Sequence, residues 1–196
     1  MYIMGLEYTW ATFGFACLTA VFLTVGYSFI GAAWLILKTE DALQMKAVSW
    51  AKGGIWGMIL GMGAISLASP LVSERIFAKW FSFPEALFLA PLPLMSGLLI
   101  VLLWIGLRHL PTKDDSFAWF PFVAAIVLFV LSFFGLAYSF YPYVVPEKMT
   151  IYESASAPES LFIILIGTCF VLPTILAYTA LAYTVFRGKA TELTYD

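Results

Sequence analysis

Polar and apolar positions along this chain fall into long blocks rather than alternating. After Glu7, thirty residues pass without Lys, Arg, Asp or Glu, and then Lys38, Glu40 and Asp41 arrive almost together in "ILKTEDALQ". Four more blocks of this kind follow. Marked off by their flanking charges, the five run over roughly 9–37, 53–71, 86–107, 117–141 and 160–186. A helix needs about 20 apolar residues to cross the hydrocarbon of a bilayer. The pattern therefore predicts five transmembrane helices, and five such blocks in 196 residues argue against the core helices of a water-soluble protein.

The stretches between the blocks agree. "KTEDALQMKAVSWAK" reads as a loop before the second span, with Leu43, Val48 and Trp50 along the interface as a short amphipathic helix. In "YPYVVPEK", Pro142 and Pro146 close the fourth span. "SAPESL" reads as a capping box, with Ser156 as the N-cap and Glu159 three residues on. Pro173 lies inside the fifth span and should kink it. Tyr8, Trp10, Trp50, Trp80, Trp119, Tyr141 and Tyr143 fall near the ends of spans, where aromatic belts form. No soluble domain, low-complexity segment or internal repeat is evident, so residues 1–196 read as a single transmembrane domain.

Composition gives the physical reason. Hydrophobic residues make up 62 % of the chain and charged ones 11 %, against about 25 % charged in a soluble domain. With a mean hydropathy of +0.94, there is too little polar surface to cover a globule in water. A net charge of −2 suggests no nucleic-acid partner. Cys17 and Cys169 lie in apolar surroundings and read as two buried thiols rather than a disulfide. The first apolar block is too long for a signal-peptide core and lacks a basic leader. Lys and Arg set the orientation. One side of the membrane carries Lys38, Lys46, Lys52, Arg108, Lys113, Arg187 and Lys189; the other carries Arg75, Lys79 and Lys148. Seven against three of the ten predicts an external N-terminus and a cytoplasmic C-terminus.

Inside the spans, one packing signal stands out. Gly53, Gly57 and Gly61 recur every four residues in the second span, followed by Ala64 and Ala68. Small residues on one face let two membrane helices approach closely, so this reads as a helix-packing seam. No span holds Asp, Glu, Lys, Arg or His, the residues that usually mark ion paths and proton relays. His109, the only imidazole, stands at the end of the third span beside Arg108 and reads as an interfacial residue. Met58, Met62, Met95 and the two cysteines are better explained by packing than by metal or haem ligation. No phosphate loop, nucleophile elbow or metal-spacing motif appears. No catalytic, cofactor or metal residue is assigned, and the role expected of such a chain is to pack against a partner that has the machinery.

Two long blocks carry a family resemblance. "GYSFIGAAWLILKTEDALQ" (26–44) resembles the middle of subunit II of cytochrome bd-type quinol oxidases, where a span ends in a WLxLKTEG-like signature. "YPYVVPEKMTIYESASAPESLFIILIGTCFVLPTILAYTALAYTVFRGK" (141–189) resembles that subunit's C-terminus, with its YPxxxP stretch, T-[IM]-W-[ED]-A-like loop and LPxILxYTxxxYxVFRGK helix in the same order. Tyr152-Glu153-Ser154 stands where the family more often has Trp-Glu-Ala or Trp-Asp-Ala, and Asp41 where it often has Gly. The resemblance covers essentially the whole chain but only the second half of the family's subunit. It implies an all-α polytopic bundle, here a four-helix unit plus one peripheral helix.

It also implies a place in a bacterial inner-membrane complex that oxidises quinol and reduces O2 to water. Haems b and d would sit in subunit I, which carries the quinol-oxidising loop, and subunit II would support its assembly and stability without binding haem. The partners implied are subunit I, membrane lipid and a source for the missing half, whether the gene is split, the chain is truncated or the protein is a reduced variant. Such a chain would not be catalytic by itself. A small transporter or channel and an unrelated membrane scaffold are the alternatives, and the uncharged spans weigh against the first.

Overall fold

The computed structural model of the chain describes residues 2–3, 6–7, 10–72, 74–112, 115–145 and 148–190. Tyr8, Thr9, Lys113 and Pro146, used above, lie outside the described residues. Among the described residues, eight helices follow in order: α1 (Trp10–Lys38), α2 (Asp41–Val72), α3 (Glu74–Phe81), α4 (Glu85–Leu89), α5 (Pro91–His109), α6 (Phe120–Phe140), α7 (Ile151–Ser154) and α8 (Pro158–Val185). Two small antiparallel hairpins accompany them, β1 (Tyr2–Ile3) with β2 (Leu6–Glu7), and β3 (Tyr143–Val145) with β4 (Met149–Thr150). Among the described residues, five segments are long and apolar enough to cross a membrane: Phe13–Lys38, Asp41–Leu71, Glu85–His109, Phe120–Phe140 and Pro158–Val185. Hydrocarbon offers no partner to a backbone N–H or C=O, so a spanning segment satisfies its own as a helix. The chain is an all-α polytopic membrane protein.

The linker before the second span differs from expectation. Thr39 and Glu40 are its whole length, and α2 begins at Asp41. At about 1.5 Å per residue this 32-residue helix is about 48 Å long, against about 30 Å of hydrocarbon. The excess accommodates Lys46 and Lys52 beyond the apolar layer, so their charge does not interrupt the helix. Gln44, Ala47, Val48 and Ala51 recur at helical spacing and are buried. Leu43 and Trp50 face outward, so Val48 belongs to the core rather than to an interfacial face. The sharp entry into α2 uses a left-handed residue, Asp41 at φ 50°. Aspartate tolerates that region better than most residues, which explains how it can stand where the resembling family has Gly.

The third span is jointed. α4 and α5 meet at Ala90, followed by Pro91 and Pro93. Neither proline has an N–H to return to the preceding turn. The fifth span starts differently from the expected capping box. Its N-cap is Ala157, with no side-chain cap, and Pro158 takes the first helical position, where a missing N–H costs nothing. The capping box lies upstream. Thr150 Oγ1 accepts from the Glu153 amide at 3.2 Å, and Glu153 Oε2 accepts from the Thr150 amide at 2.7 Å. α8 runs through Pro173 as one helix.

The chain forms two compact units, Met1–Ser139 with Ala190–Asp196, and Phe140–Lys189. In the first, α1, α2, α5 and α6 share a core at one end of the bundle, where Phe29 and Ile36 meet Ile55, Leu103, Leu107 and Leu128. Alanines fill much of the remainder, among them Ala32, Ala33, Ala47, Ala51, Ala124 and Ala125. Small side chains bring the helix axes together in a solvent that supplies no hydrophobic drive between helices. The second unit holds β3, β4, α7 and α8. The Ile151 amide donates to Pro142 O at 2.8 Å, closing the turn between hairpin and helix. α8 carries no buried side chain. Cys17 and Cys169 are free, exposed thiols on α1 and α8, not buried within the chain as expected.

Candidate functional site

In the first unit, α1 and α2 pack closely through glycines. A methyl group added at Gly57 would stand 2.6 Å from Val25 Cγ1, and one at Gly61 would stand 2.6 Å from Phe22 Cδ1. At Gly54 it would meet Phe29 Cδ2 at 3.2 Å. As the α2 positions rise the α1 partners fall, so the helices are antiparallel. Of the three glycines picked from the four-residue spacing, Gly57 and Gly61 face α1, whereas Gly53 has no atom within 4 Å of its added methyl. Gly54 takes the third place. The spacings 54–57–61 and 22–25–29 are both i, i+3, i+7, the stripe of a 3.6-residue helix.

At the end of the bundle where the core lies, polar groups tie the loops together. Gln44, 4 % exposed, donates through Nε2 to Ile36 O at 3.1 Å and to Asp115 Oδ1 at 2.8 Å. Asp115 also has positive φ, at 50°. Returning from the far end of the sequence, the Ala190 amide donates to Lys38 O at 2.8 Å. Lys38 Nζ stands 5.2 Å from the Trp34 ring centroid, and the Arg108 guanidinium lies 3.4 Å from that of Trp104. Such cation–ring stacks suit the membrane boundary, where the stem stays in lipid and the charge reaches water. His109 Nδ1 lies 2.9 Å from Ile105 O and serves the last turn of α5.

The opposite end carries a second network, centred on α3. Lys79 Nζ donates to Tyr138 O at 2.6 Å and sits 4.5 Å from the Tyr138 ring centroid. Tyr138 Oη donates to Glu85 O at 3.3 Å, and Trp80 Nε1 donates to Ser139 Oγ at 3.0 Å. Burial is the main reason the Lys79 ammonium titrates below the usual lysine range; repulsion from Arg75 adds to it, and Glu85 partly offsets it.

Among the described residues, no group of three or more His, Cys, Asp or Glu is placed to hold a metal ion. A cavity of about 210 Å³ opens between α5 and α6, lined by Gly106, His109, Leu110, Thr112, Phe117 and Phe120. It is smaller than the roughly 300–1,000 Å³ typical of small-molecule sites, and its wall suits an alkyl chain better than a polar ligand. The geometry combines a tight glycine contact, a polar lock at one end and a clamped surface helix at the other. Sequence reading missed Gly54, the Gln44–Asp115 pair and α3. A usable signal existed for Gln44, because 44, 47, 48 and 51 form a helical stripe with a single polar member.

Comparison with known families gives a match over nearly the whole chain: the model for cytochrome bd terminal oxidase subunit II fits residues 2–186. No individual curated protein matches significantly.

Proposed function

From a chain that belongs to the cytochrome bd terminal oxidase subunit II family, we propose a non-haem, non-catalytic subunit of a quinol:O2 oxidoreductase, needed for assembly and stability of the haem-bearing subunit I. The family match over residues 2–186 is the observation that carries this reading. Haems b and d belong to subunit I in this account, as does the quinol site. Axial ligation of haem calls on His, Cys, Met or Tyr, and the chain offers a single imidazole, His109, at the end of α5.

The complex resides in the bacterial inner membrane. Its N-terminus is external and its C-terminus cytoplasmic, as the seven-to-three division of Lys and Arg supports. On this orientation the shared core and the Gln44–Asp115 lock lie at the cytoplasmic end, and α3 at the external one. Gly54, Gly57 and Gly61 hold α1 and α2 in register, and the outward apolar faces of the bundle cover the lipid-facing surface of subunit I.

The test is affinity capture of the chain from mildly solubilised membranes that also contain its cognate subunit I. A haem-carrying partner should co-purify in fixed ratio. Recovery of the chain without haem protein, together with solute flux in liposomes holding this chain only, would replace the reading with that of a transporter.

A further inference from the structure

We propose that the cavity between α5 and α6 binds a short alkyl carboxylic acid, its carboxyl group held by Thr112 Oγ1 and His109 Nε2 and its chain lying against Leu110, Phe117 and Phe120. Thr112 Oγ1 is sealed from solvent and has no hydrogen-bond partner among the described residues. A buried hydroxyl in that state is unfavourable, so a ligand that reaches it gains the bond without displacing one. His109, the last residue of α5, sets Nδ1 2.9 Å from Ile105 O. A carbonyl only accepts, so Nδ1 carries the proton there. Nε2 then offers a lone pair in the neutral ring, or a second N–H in the cation. Both residues line the same cavity.

The rest of the wall is apolar: Gly106, Leu110, Phe117 and Phe120. A methyl added at Gly106 would stand 2.9 Å from Phe120 Cε1, so the bare backbone there lets that ring lie against α5. Leu110 is buried and Phe117 is 60 % exposed, so the cavity runs from the interior of the unit to its surface. Its volume of about 210 Å³ is about seven times the roughly 30 Å³ share of one water molecule. A single water on Thr112 and His109 would leave most of that space against hydrocarbon, where further waters find too few partners. An alkyl chain fits it. The choice of head group follows from the two polar atoms. A phosphate brings only acceptors and a full charge into an apolar wall. An alcohol has one oxygen to serve both residues. A carboxyl group has two oxygens, one for the Thr112 hydroxyl and one for His109, and its proton can sit on either the acid or the imidazole. The cavity also stands at the joined ends of two membrane-crossing segments, Glu85–His109 and Phe120–Phe140, where amphiphiles of a bilayer hold their head groups.

The inference needs only membrane residence and stands apart from the oxidase reading. Its test uses the full chain in phosphatidylcholine vesicles with octanoate that carries a diazirine at its far end. Photo-adducts should saturate and map to Leu110, Phe117 or Phe120. Compared at equal concentration within the membrane, unlabelled octanoate should compete about tenfold better than methyl octanoate or octanol, as the loss of one charge-assisted hydrogen bond implies. Thr112→Val keeps the side-chain shape and removes the hydroxyl. It should cut the adduct yield several-fold, yet melt no lower than wild type in detergent, because an unpartnered hydroxyl is gone. His109→Phe should cut the yield likewise, and Thr24→Val, at an exposed hydroxyl of α1, should not. Equal competition by methyl octanoate would overturn the proposal, since the head group would then go unread. So would adducts that do not saturate or that fall only on other segments, or wild-type labelling in both cavity variants. A lower melting temperature for Thr112→Val would overturn it too, because the hydroxyl would then serve the fold.

Discussion

Gly57 and Gly61 show how little room one residue can leave. With 2.6 Å between an added methyl and Val25 or Phe22, even alanine forces the helices apart or twists a side chain off its rotamer. Overpacking of this kind costs about 1–3 kcal/mol. Gly57→Ala and Gly61→Ala should therefore lower the thermal stability of the detergent-purified chain, and the leucine variants should reduce its yield further. Gly53→Ala meets nothing within 4 Å and should be neutral or stabilising by up to about 1 kcal/mol from helix propensity. If all three alanine variants melt alike, the α1–α2 contact is not close. The sequence pattern pointed to Gly53 for the third place and missed Gly54, one residue and about 100° away. Counting in fours favours 53; the crossing of α1 selects 54. Only the partner helix could decide that.

At the scale of elements, the spans were legible because length and absence of charge are sufficient to define them. Their ends were not. Lys46 and Lys52 read as loop residues, yet helix costs no more than loop once outside hydrocarbon, and the Asp41 turn lets α2 begin early. α3 went unseen because eight residues give too short a period to read. Gln44 holds two of these ends together. Gln44→Leu should destabilise the chain by about 1–3 kcal/mol, since Ile36 O and Asp115 Oδ1 lose a buried donor. The same substitution at exposed Met45 should leave the melting temperature nearly unchanged.

The capping box before α8 makes a prediction in pH. The Thr150 amide, and then its hydroxyl, hold the Glu153 carboxyl below the usual glutamate range. A carboxylate depressed in the folded state adds stability that is complete above its unfolded value and is lost as pH falls through the folded one. Amide exchange at Thr150 and Glu153 should accelerate in that acid range beyond the ordinary trend. Glu153→Gln should flatten the response. An unchanged acid profile in that variant would show that the carboxylate does not set it.

For the whole molecule, the orientation we propose rests on the sequence pattern, which assigns seven Lys and Arg to one side of the membrane and three to the other. A reporter phosphatase fused after Asp196 should be inactive and a fluorescent protein there should fold, as for a cytoplasmic terminus. Active phosphatase would invert the orientation. Family membership explains why a chain whose apolar blocks hold no ionisable groups is nonetheless part of a respiratory machine. The resemblance was legible in two ordered motif blocks. The partner's surface was not, because shape complementarity between membrane helices leaves no fixed residue pattern.

The central claim is that this chain serves a redox centre it does not contain. The direct measurement is the visible spectrum and quinol-dependent oxygen uptake of membranes expressing the cognate subunit I with and without this chain, beside the chain purified by itself. The chain by itself should show no stoichiometric haem band. Subunit I without it should lose haem content and oxygen uptake together, and both should return on co-expression. A fully haem-loaded, active subunit I in its absence would contradict the account.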